Sequence, residues 1–121
     1  MSFPAFREHS RAPLHIAVDV LVSGEPKTLR GMTANVSEGG MFIAIDDPRP
    51  VGTMLRLSFP LPEGGGPVAG FGEVVWIRLR RDKGRPVGMG VQYRYLDDDG
   101  LDRLRVWVAR ALGLGRDAQG S

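Results

Sequence analysis

The chain has no cysteine, which excludes disulfides, thiolate nucleophiles and cysteine-based zinc sites together. Its fold must therefore be held by an apolar core. Lysine is scarce as well: Lys27 and Lys83 stand against fourteen arginines among sixteen basic residues, and the formal charge is only +2. A long nucleic acid usually requires a continuous basic stripe for many phosphate contacts, so a small anion held at a local arginine cluster fits better. No apolar run approaches the roughly 20 residues of a membrane helix, and the first residues, MSFPAFREHSR, lack the apolar centre of a secretory signal. The expected address is the cytoplasm, with no membrane insertion. The two histidines, His9 and His15, have no carboxylate at a metal-binding spacing, and the serines have no partners for nucleophilic catalysis. The glycine loop Pro62 to Pro67 lacks the Gly-Lys-Ser/Thr ending of a phosphate-binding P-loop. Neither an enzyme nor a resident cofactor or metal is expected.

What the chain does contain is short alternation. With 121 residues, 42% hydrophobic and 25% charged, it has the composition of one ordinary globular domain. Leu14, Ile16, Val18, Val20 and Val22 alternate with other residues, a period of two that predicts a strand with one buried face. Ser23 to Pro26 supplies a turn, and Thr28 to Val36 the return strand. Met41 to Ile45, Thr53 to Phe59, Val68 to Leu79 and Val87 to Tyr95 read as four more, the last two joined by a basic tip at Arg80 to Pro86. Helical spacing occurs once, at Leu101, Leu104, Val108, Ala111 and Leu112, with Asp97 to Asp99 suited to its cap and first turn. Six short strands in so small a domain favour a barrel, which removes free edges. The predicted fold is all-β: a six-stranded antiparallel β-barrel with a C-terminal α-helix. Trp76, in an apolar strand, and Trp107, on the helix, are expected to pack in the core or under the helix.

Two stretches carry the chemistry. Arg7 and Arg11 are spaced as R-x-x-x-R ahead of the first strand, and Asn35 to Gly40 reads Asn-Val-Ser-Glu-Gly-Gly. A guanidinium offers planar paired donors to phosphate, pairs with guanine O6 and N7, and stacks on a purine face. Asn35 and Ser37 add short polar groups, while Gly39 and Gly40 permit close approach of backbone to ligand. Either stretch alone is common, the first in solvated tails and the second in simple turns.

Together they resemble the PilZ family, whose ligand site joins an R-x-x-x-R stretch to a (D/N)-x-S-x-x-G stretch. Arg7 and Arg11 match the first, and Asn35, Ser37 and Gly40 the second. Gly72 to Ile77 and Gly88 to Tyr93 look like the family's late barrel strands, so the resemblance covers about residues 6 to 112. It implies a bacterial second-messenger receptor that binds cyclic di-GMP through Arg7, Arg11, Asn35, Ser37, Gly39 and Gly40, and signals to an unidentified effector protein. The domain reading is a ligand-binding arm at 1 to 12, a PilZ-like barrel plus helix at 13 to 112, and a disordered tail at 113 to 121. The alternative is a PilZ-like protein-interaction adaptor, in pilus or motility systems for example, that binds no nucleotide. Two features depart from or complicate the pattern: Phe6 stands where some relatives carry another arginine, leaving open whether one ligand or a stacked pair binds, and Glu38 brings a negative charge close to the phosphate site.

Overall fold

The computed structural model describes residues 15 to 62 and 64 to 113. Arg7 and Arg11, and all of the 114 to 121 segment, lie outside the described residues.

Six strands and one helix follow in order: β1 (Ala17–Val22), β2 (Thr28–Val36), β3 (Gly40–Ala44), β4 (Met54–Phe59), β5 (Val68–Arg78), β6 (Gly88–Leu96) and α1 (Gly100–Leu112). The sheet closes on itself in the order β1-β2-β3-β6-β5-β4, every pairing antiparallel. Each strand therefore has two neighbours, and no row of backbone donors is left as an open edge. Alternation decides which side chains fill the interior: Val18, Val20 and Val22 from β1, Met41 and Ile43 from β3, Leu55, Leu57 and Phe59 from β4, and Met89, Val91 and Tyr93 from β6 are all buried in one cluster. Burial holds the Tyr93 phenol well above the usual tyrosine range.

Helix α1 seals onto this cluster through Leu101, Leu104, Trp107 and Val108. The expected packing role of Trp107 is thus observed. Asp99 takes the N-cap position but makes no side-chain cap hydrogen bond, so the expected acidic cap is positional only. The Arg103 amide instead donates to the Asp99 carbonyl.

Strand ends differ slightly from the alternation reading, for local reasons. The first strand starts at Ala17, because the Ile16 amide donates to Thr33 Oγ1 (2.8 Å) in place of a ladder carbonyl. The third ends at Ala44, before the Asp-Asp-Pro-Arg-Pro stretch. The β5–β6 tip is a tight turn in which Lys83 and Gly84 both have positive φ, 52° and 81°, between the bridged residues Asp82 and Arg85. Two successive left-handed residues match the twist of the flanking strands, as in type I′ hairpins.

Candidate functional site

The link between β2 and β3 is only Ser37, Glu38 and Gly39. Ser37 ties it. Its amide donates to the Gly40 carbonyl at 2.8 Å, and its hydroxyl donates to the same oxygen at 3.2 Å. The hydroxyl oxygen also accepts from the Gly39 amide (3.1 Å) and the Gly40 amide (3.2 Å). Ser37 is completely buried. Its hydroxyl is thus engaged within the loop and shapes it. The Gly39 carbonyl accepts from the Tyr93 amide at 3.1 Å, which pins the loop to β6. Neither Gly39 nor Gly40 has a positive φ, so conformational permissiveness is not why glycine stands there.

Asn35 is set by a bulge. Register shifts between Thr33 and Asn35, so Thr33 faces inward opposite Ile43 while Asn35 faces outward opposite Phe42. Its Oδ1 is buried and meets no hydrogen-bond donor among the described residues. A buried carbonyl oxygen without a donor costs about 1–3 kcal/mol, so the site is poised to receive one.

Continuing across the outer face from Asn35, the register runs Phe42, Gly90, Trp76. Phe42 and Trp76 stack with centroids 5.0 Å apart at 27°. The Arg78 guanidinium lies over both rings, 4.7 Å from Phe42 and 5.1 Å from Trp76, and one of its nitrogens donates to the Pro86 carbonyl at 3.1 Å. Trp76 is therefore not a core residue, contrary to expectation. A bulge between Val74 and Trp76 turns the indole to the outside. It can lie flat there because Gly90 is directly beneath: a Cβ at that position would overlap the indole ring. The sequence carried a signal for this arrangement, since Gly88 and Gly90 alternate along one strand and leave one face bare for an aromatic ring. The next row on the same face is Met32, Ala44, Gly88, Arg78. It borders a groove of about 620 Å³ whose walls include Arg30, Met32, Ala44, Arg81 and Val87.

The chain enters this region from the amino-terminal side. His15 Nδ1 donates to the Thr33 carbonyl at 3.2 Å, and the Thr33 amide donates to the Ile16 carbonyl at 2.9 Å. Residues 15 and 16 are thus fixed two positions from Asn35. Glu38 is held from another element: Arg105 Nε on α1 donates to its Oε2 at 3.0 Å. Among the described residues there is no cluster of metal-ligating side chains, and no helix long and apolar enough to cross a membrane.

With this geometry in hand, comparison with known proteins gives the family. The PilZ domain model matches residues 5–110, and the chain belongs to the PilZ family. Among solved structures, it is similar to the Bacillus subtilis inhibitor of motility MotI/DgrA (TM-score 0.72, 19% identity), covering 98% of this chain and 54% of that one. It is also similar to the PilZ domain of Escherichia coli YcgR, solved with c-di-GMP (TM-score 0.64, 16% identity, 95% of each chain). A third similar structure is the PilZ domain of CeSA from a cellulose-synthesizing bacterium (TM-score 0.55, 19% identity), covering 88% of this chain and 98% of that one. This chain thus spans about half the length of the MotI structure. At such identities the likeness is one of fold. A search of curated proteins found no match.

Proposed function

We propose that this protein is a cyclic di-GMP receptor whose ligand lies on the outer face of β2, β3, β6 and β5 and whose occupancy is read by a partner protein. The observation that carries the reading is the juxtaposition of a buried, donor-less Asn35 Oδ1 with the Phe42, Trp76 and Arg78 stack. A guanine offers both the N–H donors that an amide oxygen accepts and a flat face that an indole or guanidinium covers. Arg7 and Arg11 supply the phosphate and purine contacts. The reading is supported by reach: Arg11 is four residues and Arg7 eight residues before the anchored His15, about 14 Å and 28 Å of extended chain. At roughly 4.8 Å per strand, β5 stands about 14 Å from β2 across β3 and β6, so both spans are of the length needed to reach the stack. Ser37, Gly39 and Gly40 hold the loop that presents Asn35.

The mechanism is ordering of the arm. Binding energy from the arginines offsets the entropy of fixing residues 6 to 12, and the newly formed surface is the signal. The motility inhibitor among the similar structures favours a protein as recipient of that signal.

Titration calorimetry with cyclic di-GMP, with GTP and a single-stranded oligonucleotide as controls, tests the reading. Saturable heat is expected with the cyclic dinucleotide alone. Arg7→Ala or Arg11→Ala removes charge-assisted bonds worth roughly 1.5–3 kcal/mol, a loss of about tenfold to a hundredfold in affinity with an unchanged circular dichroism spectrum. A folded protein that gives no heat with cyclic di-GMP would leave the adaptor that binds no nucleotide.

A further inference from the structure

We infer that the β5–β6 tip, Leu79 to Arg85, is where the partner docks, and that the partner presents an acidic protein segment with apolar side chains beside its carboxylates. The docking stands on the tip alone, whereas its coupling to nucleotide rests on the reading above. Residues 79 to 85 are exposed throughout. They carry four cations, Arg80, Arg81, Lys83 and Arg85, against the single carboxylate of Asp82, a net charge of +3 where the whole chain has +2. Asp82 is taken by Arg85, and among the described residues no ion pair involves Arg80, Arg81 or Lys83. By contrast Arg30, Arg49, Arg94 and Arg105 each hold a carboxylate. Leu79 completes the tip and is 68% exposed, more than any other large apolar side chain among the described residues. A solvated apolar group next to unspent guanidinium groups is the composition of a protein contact.

The tip has a set shape. Its two limbs are joined by backbone bonds, the Asp82 amide to the Arg85 carbonyl at 3.1 Å and the Arg85 amide to the Asp82 carbonyl at 2.9 Å, so docking orders little backbone. Its charge pattern selects protein over other anions. Asp82 lies within the tip, and Asp46 and Asp47 stand on the groove that Arg81 also lines. A uniformly anionic surface meets these carboxylates together with the cations, whereas a protein segment sets its own carboxylates opposite the cations alone. Arginine adds paired, directional bonds to carboxylate, and the tip has no aromatic ring on which a base could stack. One residue joins the tip to the platform. Arg78 covers Phe42 and Trp76 and donates to the carbonyl of Pro86, the first residue after the tip. A nucleotide on the stack bears on this guanidinium and so on one base of the hairpin.

The full chain tests this with a synthetic peptide of glutamate and leucine, its counterpart of lysine and leucine serving as control. Amide chemical shifts should move at residues 79 to 87 with the first peptide and stay in place with the second. Arg80→Glu combined with Arg81→Glu should weaken the peptide by about tenfold or more, Leu79→Ala by about threefold, and Arg110→Glu, an exposed charge on α1, by less than about twofold. Raising salt from about 0.05 to 0.5 M shortens the Debye length about threefold and should weaken binding with it. Bound cyclic di-GMP should raise the peptide affinity about threefold, and by linkage the peptide should raise the nucleotide affinity by the same factor. Shifts that fall elsewhere, or a double variant that binds the peptide normally, overturn the inference. So does tip-dependent binding to phosphatidylglycerol vesicles, or tip-dependent self-association in sedimentation, since a membrane or a second copy is then the occupant. A peptide affinity that bound nucleotide leaves unchanged overturns the link through Arg78. Should the original protein give no heat with cyclic di-GMP, the nucleotide reading fails by itself, and the peptide map still decides the tip.

Discussion

Among the described residues, arginine meets aromatic rings at two places on the outside of this barrel, and the two are built differently. On one face Arg78 covers Phe42 and Trp76; on the other Arg56 lies 5.1 Å from the centroid of Phe71. Phe42 is 1% exposed, whereas Phe71 is 40% exposed and its cross-strand neighbour Tyr95 is 52% exposed. The contrast originates in the strand beneath. Gly88 and Gly90 present no side chains on the outer face of β6, so the rings of Phe42 and Trp76 sink against the backbone. Near Phe71 the glycines of β5, Gly70 and Gly72, point their missing side chains elsewhere, toward the Tyr95 carbonyl and toward Val91 and Leu57. A recessed platform beside a donor-less amide oxygen has the shape and polarity that the proposed flat ligand requires; a raised ring is ordinary amphipathic surface.

Filling the recess is expected to have the largest effect. Gly90→Val places branched carbons where the indole lies, and overpacking of this kind costs about 3 kcal/mol at the upper end of its range. A fall in the denaturant midpoint is expected, together with loss of the near-ultraviolet signal of a stacked indole. An unchanged midpoint and spectrum would show that Trp76 is free to leave the sheet.

Removing the rings themselves separates the two faces by function. Stacking of a base on an aromatic side chain is worth about 1–3 kcal/mol, so Trp76→Ala should weaken cyclic di-GMP binding by about tenfold or more in calorimetry. Phe71→Ala should leave the affinity within about twofold. Equal losses at both positions would mean that the recess has no special part in binding.

The strands were legible because a half-buried barrel repeats with period two, and Val18, Val20 and Val22 or Leu55, Leu57 and Phe59 show that period without interruption. The site was legible only as composition. Counting by twos from Thr33 puts Asn35 inside, and only the bulge in β2 turns it outward beside Phe42. A second bulge does the same for Trp76. Bulges leave no mark in a hydrophobicity pattern, so the aromatic platform was hidden although each of its residues was in view. The Glu38–Arg105 contact was hidden for another reason: closure of the barrel and docking of α1 bring together residues that local pattern cannot relate.

Loop shape offers a smaller test. Ser37→Ala removes a hydroxyl that bonds the Gly40 carbonyl and the Gly39 and Gly40 amides in a fully buried site, so about 1–2 kcal/mol of stability should be lost. Affinity for the nucleotide should fall with it, since Asn35 is presented by the same turn. Ser37→Ala with full stability would imply that backbone bonding alone holds the loop.

The smallest expected effect lies between the two faces, where Glu25 lines the hollow below Phe71 and Arg49 lines the groove beside Ala44. Arg49 grips both carboxylate oxygens of Glu25, at 2.7 and 2.8 Å, and reaches Asp47 at 3.0 Å. The hydrogen bonds from Arg49 hold the Glu25 carboxyl below its ordinary value of 4.5, and the same contact raises Arg49. A depressed carboxylate contributes its stability above the unfolded-state value and loses it as pH falls through the lower folded-state one. Stability should therefore begin to decline below about pH 4.5 in part through this pair. Glu25→Gln should flatten that part of the acid limb in a pH series of thermal melts. Its affinity for cyclic di-GMP at neutral pH should be unaltered, because the pair fastens the β1–β2 turn to the β3–β4 loop and touches neither Asn35 nor Trp76. A Glu25→Gln variant that binds differently at neutral pH would show that the rim and the recessed platform move together.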